Sequence, residues 1–376
     1  MLKSKQQKVE QKTWDPAVIY WRGYYYAYCL QFDDEPHPYW IENELEPDPF
    51  LSKNHLHLYS SQDLDSWTDC GKVLSPVGET DITCAASVVC FEDTIYLFYG
   101  VATLTKLKGE VYLDQRLRLA TSTDGINFTD CDQFSLEPDP QLYPFGRPYP
   151  TGGFAYAWRD PYLHFCDRTQ TYYLYIVTGG GCIWGTEPQI AVAKAKSITG
   201  PYELLESALD PRKQPGFESG LTSELERIDV KFLDGQYYLF GSSWKYYLSE
   251  EFKAFLKQKN IPVSNYNTYI FTSSNPEGPF ELNRDYPVIN YRYGWLISPD
   301  IYAKYLFVKP NGVIGVCGWY SALFRLALSN SFELTKAGNQ FTLSYNLVSI
   351  LKYWFARFTA LFPSKTSHGV ANRSNF

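Results

Sequence analysis

Methionine is almost missing from this sequence, with one residue in 376, and histidine is scarce, with five. A helix bundle seldom has so little methionine, which is the adaptable filler of such cores. Cysteine occurs eight times, at 29, 70, 84, 90, 131, 166, 182 and 317, but never as CxxC. No small disulfide framework follows from that spacing, and free thiols, several of them buried in strands, are expected. Positive clusters are missing too. The formal net charge is -7 and the pI about 5.4, with no basic patch, so a nucleic-acid partner is excluded. There is no P-loop, no dinucleotide fingerprint, no HExxH and no GxSxG, and no cofactor is expected. His57 and His164 lie inside strand patterns and read as core or surface residues, so no metal ligands are assigned. The opening "MLKSKQQKVEQKTWD" has no apolar run, so no signal peptide and a reducing, cytoplasmic setting are expected.

Aromatics are what the chain has in abundance: 18% of residues, among them 32 Tyr and 10 Trp. Such residues suit pleated sheets and pockets that stack flat ligands. They recur in a pattern. Five segments read as a strand, a tight turn and an aromatic strand: 18–29, 87–100, 162–179, 230–243 and 305–319. Arg22-Gly23, Asp234-Gly235 and Asn311-Gly312 supply hairpin turns in three of them. Each is followed by a second type, a strand, a Ser/Asp/Gly turn and a short strand with one aromatic: Trp67, Phe128, Tyr202, Phe280 or Phe332. Two hairpins make a four-stranded sheet, and five such sheets at a spacing of about 70 residues close best in a ring. The sequence therefore predicts an all-β fold, a five-bladed β-propeller over 13–340. A C-terminal extension, 341–376, follows. Its apolar part, 345–362, carries Lys352 and Arg357 and is expected to be a helix or strand packed on the propeller rather than a membrane span.

In a propeller the first strand of each blade lines the central channel. Just ahead of that strand stand Asp15 in "TWDPAV", Asp160 in "AWRDPYL", Glu226 in "ELERIDV" and Asp300 in "ISPDIY"; blade 2 has the uncharged "TCAASVV". A lone Asp-Pro is turn chemistry, and Asp300 reads as a turn cap. Asp15, Asp160 and Glu226 together converge on the mouth of one funnel, and like charges are gathered at that cost chiefly for function. Arg159 and Arg227 offset the repulsion and offer donors to hydroxyls. Trp14, Trp158, Trp184 and Trp319 are aromatic candidates for the pocket wall, with core packing the alternative for each. Glu224 reads as a solvated loop acid and Asp229 as a strand-start hydrogen-bonding group with possible substrate contact. Two carboxyls in an aromatic funnel fit cleavage of a glycosidic bond, where one protonates the leaving oxygen and another attacks the anomeric carbon or activates water.

These motifs resemble those of the five-bladed glycosidases of the β-fructosidase clan, glycoside hydrolase families 32 and 68. "WDP" at 14–16 is similar to the nucleophile motif of the clan, "WRDP" at 158–161 to its RDP motif, and "ERID" at 226–229 to its acid/base motif. The resemblance implies Asp15 as nucleophile, Asp160 as transition-state stabiliser and Glu226 as acid/base. It implies substrate contacts at Trp14, Ser87, Arg159, Arg227 and Asp229. The implied activity is retaining hydrolysis of a β-fructofuranoside-like bond in a disaccharide or oligosaccharide, with transfer to a sugar acceptor as a variant. Family 43, whose first blade often reads Asp-Pro before an aliphatic strand, is also similar and implies an inverting arabinofuranosidase or xylosidase. A sugar-binding propeller without catalysis is the third reading.

Overall fold

The computed structural model describes residues 13–32, 53–75, 78, 81–108, 110–144, 146–148, 150–152, 154–180, 188–291, 301–320, 327–328 and 331–344. Five blades follow one another along the chain, antiparallel except where β18 (Asn290–Tyr291) pairs parallel with β23 (Gln340–Ser344) in the fifth. Blade 1 is β1 (Thr13–Trp21), β2 (Tyr24–Phe32), β3 (Asn54–Ser61) and β4 (Thr68–Leu74). Blade 2 is β5 (Asp81–Phe91), β6 (Thr94–Leu107), β7 (Glu110–Ser122) and β8 (Thr129–Asp130). Blade 3 sets β9 (Arg147–Pro148) beside β10 (Phe154–Cys166), followed by β11 (Thr171–Gly180), β12 (Gln189–Ala195) and β13 (Glu203–Leu204).

Blade 4 is β14 (Glu226–Leu233), β15 (Gln236–Trp244), β16 (Tyr266–Ser273) and β17 (Glu281–Leu282). A 3-10 turn (Lys245–Tyr247) and helix α1 (Glu250–Gln258) lie between β15 and β16. Blade 5 gathers β18 (Asn290–Tyr291), β19 (Ile301–Val308), β20 (Ile314–Tyr320), β21 (Ala327–Leu328), β22 (Phe332–Ala337) and β23 (Gln340–Ser344). The inner strands β1, β5, β10, β14 and β19 pack each on the next, and β19 packs back on β1. Among the described residues no strand is exchanged between the first and last blades. β23 carries blade 5 on to Ser344, past the expected boundary at 340.

Local chemistry explains the hairpins. Arg22-Gly23 (φ 47° and 87°) and Asp234-Gly235 (51° and 83°) make two-residue turns with both φ positive, the geometry that matches strand twist. Asn311-Gly312 departs from that expectation. Val308 pairs with Ile314, so a five-residue loop intervenes, closed by Lys309 N donating to Val313 O at 2.9 Å. The second hairpins turn on Ser-x-Asp. Ser61 Oγ accepts from Leu64 N (2.8 Å) and Ser122 Oγ from Gly125 N (2.9 Å), while Asp63 and Asp124 cap the amides that follow.

The recurring aromatic of the second hairpin packs on a ring in the second strand of the preceding blade. Phe128 meets Tyr28 edge-on at 5.5 Å, Tyr202 meets Phe98 at 6.5 Å, and Phe280 meets Tyr175 at 6.2 Å. Tyr28 Oη also donates to Gly125 O (2.9 Å), and Tyr175 Oη to Pro276 O (2.6 Å). The repeat therefore encodes blade-to-blade packing as well as strand formation.

Of the described cysteines, Cys29, Cys166 and Cys317 are buried, Cys70, Cys84 and Cys131 are partly buried and Cys90 is exposed; all are free thiols. Among the described residues no helix is long and apolar enough to cross a membrane. The expectations for Cys182, Trp184, Asp300 and 345–362 lie outside the described residues.

Candidate active site

Each inner strand carries a two-for-one bulge near its start. Residues 15 and 16 oppose Cys29 alone, 84 and 85 oppose Gly100, 160 and 161 oppose Ile176, 227 and 228 oppose Gly241, and 303 and 304 oppose Gly318. A bulge re-aims the side chain at its first position. At four of the five that residue lies in the left-handed region: Asp15 (φ 45°), Asp160 (50°), Arg227 (49°) and Ala303 (48°). Asp tolerates this conformation better than most residues, since its short polar side chain bonds locally.

The acids were expected just ahead of their strands, at one common position. The structure corrects this. Asp15 and Asp160 share the bulge position inside β1 and β10, whereas Glu226 stands one residue earlier, level with Trp14, Thr83, Arg159 and Tyr302. Arg227 takes the aspartate place in blade 4, Cys84 in blade 2 and Ala303 in blade 5.

The bulges bring the three acids and two arginines together. Arg159 Nη2 donates to Glu226 Oε1 at 3.1 Å, and the Tyr302 hydroxyl donates to Glu226 Oε2. Trp319 Nε1 donates to Asp15 Oδ1 at 2.9 Å. Asp160 Oδ2 accepts from the backbone N–H of Arg227 at 3.1 Å. Arg227 is spent on the fold: its Nη1 donates to Ala86 O (2.9 Å) and its Nη2 to Pro16 O (2.6 Å), with the Tyr305 ring 5.5 Å from the guanidinium. Its charge still reaches Asp15 and Asp160.

Burial and mutual repulsion set the protonation pattern. Asp15 is pushed up to about 7, first by burial and then by Asp160 and Glu226, against the pull of Arg227 and the Trp319 bond. Burial likewise raises Asp160, opposed by Arg159 and Arg227. Burial works on Glu226 in the same direction, but Arg159 and the hydrogen bonds from Glu224 and Tyr302 prevail and hold it below the usual range. Glu224 was expected to be solvated; it is 4% exposed. Burial, and the adjoining charge of Glu226, push it up to about 10. The opposite shifts favour the proton on Glu224 and the charge on Glu226. Thr222 positions Glu224: its Oγ1 donates to Glu224 O at 2.8 Å and links to Ser243 Oγ at 2.8 Å.

Other candidates fall elsewhere. Trp14 is buried against Phe32, ring centroids 4.0 Å apart. Trp158 is fully buried, with Nε1 donating to Leu136 O. Ser87 is buried and accepts from Leu163 N (3.4 Å). Asp229, 1% exposed, lies below the acids, where it accepts from Leu306 N (3.1 Å) and Lys231 Nζ (3.3 Å); Lys231 also bonds the Tyr162 hydroxyl and Leu306 O. His57 pairs with Asp69 (2.6 Å), and His164 packs on Tyr237. Among the described residues no cluster of His, Cys, Asp and Glu is spaced to hold a metal ion. Sequence reasoning missed Tyr302 and misread Glu224. The signals were a tyrosine two residues after Asp300, and two glutamates spaced i, i+2 that an extended segment turns to one side.

The arrangement supplies a proton source in the Glu224–Glu226 pair and a carboxylate at Asp15 poised between its protonation states. It also has a third carboxyl fixed by a backbone amide. No protein-family model matches the sequence, and no curated protein does. Solved structures do. The GH32 β-fructofuranosidase of Bombyx mori superposes with a TM-score of 0.64 at 16% identity, covering 91% of this chain, which spans 66% of that enzyme's length. The inulosucrase of Halalkalicoccus jeotgali, bound to kestose, gives 0.61 at 18% identity, with 90% and 88% coverage. The endo-arabinase of Bacteroides thetaiotaomicron gives 0.55 at 15%, with 88% and 96% coverage. The chain shares the propeller fold of both groups.

Proposed function

We propose that the protein is a glycoside hydrolase that cleaves a β-fructofuranoside-like bond with retention. The observation that carries this reading is the meeting of Asp15, Asp160 and Glu226 from blades 1, 3 and 4, with Arg159 bonded to Glu226. Asp15 attacks the anomeric carbon as the glycosidic bond breaks, and the departing oxygen takes a proton from Glu226, to which the proton of the Glu224–Glu226 pair passes from Glu224. Asp160 accepts hydrogen bonds from hydroxyls of the sugar bound against Asp15. Water, deprotonated by Glu226, then releases the sugar from Asp15; a sugar hydroxyl in place of water gives transfer. The better superpositions on a β-fructofuranosidase and an inulosucrase support this substrate class, as do related structures solved with sucrose and kestose.

One observation favours a second reading. A carboxyl near 7 suits a general base for water, so Asp15 fits inverting hydrolysis of an arabinofuranoside as well. Reducing-sugar release from sucrose by the purified protein, with the anomer of the first product read by NMR, tests both. Release of the β-anomer supports the first reading. No action on sucrose together with inverting cleavage of arabino-oligosaccharides establishes the second. Glu226→Gln is expected to lower kcat by about 10²–10⁴ without loss of fold. An unchanged rate removes Glu226 from the acid/base role.

A further inference from the structure

The pairings Glu226 with Ser242 and Trp244 with Tyr266 place the β15–β16 connection at the same end of blade 4 as Glu226. The 3-10 turn at Lys245–Tyr247 therefore stands on the rim above the acid. It is tied down on both sides. Ser223 N donates to Tyr247 O (2.9 Å), Lys245 N to Asn265 O (2.8 Å) and Ser249 N to Leu221 O (3.0 Å).

From this turn a staircase of rings descends into the site. Tyr246 is 61% exposed, the most exposed large apolar side chain among the described residues. Its ring lies 5.8 Å from that of Trp244, tilted 34°, and Trp244 lies 4.8 Å from Tyr302, tilted 40°. Tyr302 ends the series on Glu226. Burial raises the Tyr246 hydroxyl, and the charges of Glu224 and Glu226 add to that shift. Scattered surface aromatics are ordinary. An exposed aromatic held by a fixed turn, and joined ring by ring to a proton donor, is a surface prepared for a ligand.

Chemistry decides which part of the ligand. The group that protonates the departing oxygen borders the leaving group, whereas the sugar to be transferred lies against Asp15. Resting on the function proposed above, we infer that Trp244 and Tyr246 form a leaving-group subsite that stacks a second sugar ring. The preferred substrate then departs with a disaccharide, and the same rings retain a sugar acceptor in competition with water.

Raffinose and sucrose differ in the leaving group alone, melibiose against glucose, and so test the subsite. For the wild-type protein, kcat/KM for raffinose is expected to equal or exceed that for sucrose. Tyr246→Ala, a change at an exposed ring, is expected to lower the raffinose-to-sucrose ratio about tenfold, and Tyr246→Phe to recover it to within about threefold. A ratio that Tyr246→Ala leaves unchanged overturns the subsite. If the wild-type protein cleaves neither sugar, the fructoside reading has failed, and the subsite is judged by calorimetric titration with melibiose and arabinotriose. About tenfold weaker binding to Tyr246→Ala then supports it. Equal binding to both proteins, or binding to neither, overturns it.

Discussion

Asp15 shows how one residue links chemistry to stability. Its folded-state value, about 7, lies above the ordinary 3.8. The folded protein therefore holds a proton that the unfolded chain has already released between about pH 4 and 7. Stability from this site falls as pH rises through that window, and the full penalty persists above it. Asp15→Asn is expected to stabilise the fold at pH 8 by on the order of 2 kcal/mol and to give no gain at pH 4. Urea unfolding at the two pH values checks this, and an equal effect at both contradicts the burial account. Because attack or water activation needs the ionised form, kcat/KM is expected to fall below about pH 7 along one acid limb, measurable in a pH–rate profile. That Asp15, Asp160 and Glu226 gather was legible, because they recur near the starts of the strand repeats. Their partners were less so. Glu224 looks like a loop acid until Thr222, braced by Ser243, bonds its carbonyl oxygen in the buried interior, and Trp14 looks like a pocket wall until Phe32 covers it.

At the scale of elements, the bulge is the working unit, and its register was the part that sequence pattern could not reach. Alternation tells which strand is inner, but a one-residue offset decides whether an acid or its neighbour is re-aimed. That offset separates Glu226 from Asp15 and Asp160 and puts Arg227 at the aspartate position. A signal for it existed in the facing strand. Gly100, Gly241 and Gly318 each stand opposite a bulge. At Gly318 an added Cβ would lie 2.5 Å from the Tyr302 carbonyl oxygen and 2.5 Å from Ile301 Cγ2. Gly318→Ala is therefore expected to cost about 2 kcal/mol and to lower kcat, since it displaces the strand that holds Tyr302 on Glu226. Thermal unfolding and steady-state rates check both parts, and a neutral effect on both would mean that the bulge yields freely.

For the molecule as a whole, the repeat predicted the architecture because it carries both the hairpins and the aromatics that join blades. The contacts that close the ring were not legible, because they join the two ends of the chain. Blade 1 and blade 5 meet through side chains: Tyr25 against Phe307 with ring centroids 6.0 Å apart, and Trp319 bonded to Asp15. Arg227 reaches across to Pro16 O from blade 4. Phe307→Ala is expected to destabilise the protein by about 3–5 kcal/mol, and unfolding followed by tryptophan fluorescence and by circular dichroism should remain coincident. Separate transitions would show that the seam opens on its own.

The seam also sets a clock on synthesis. Asp15 and Trp319 are 304 positions apart, and at about 5–20 residues per second the first waits about 15–60 s for the second to leave the ribosome. Until then Asp15 lacks the Trp319 bond, and helpers that shield nascent chains have that interval in which to act. Under the function proposed above, the site is complete only when the last blade arrives, and an interrupted chain is expected to be silent rather than partly active.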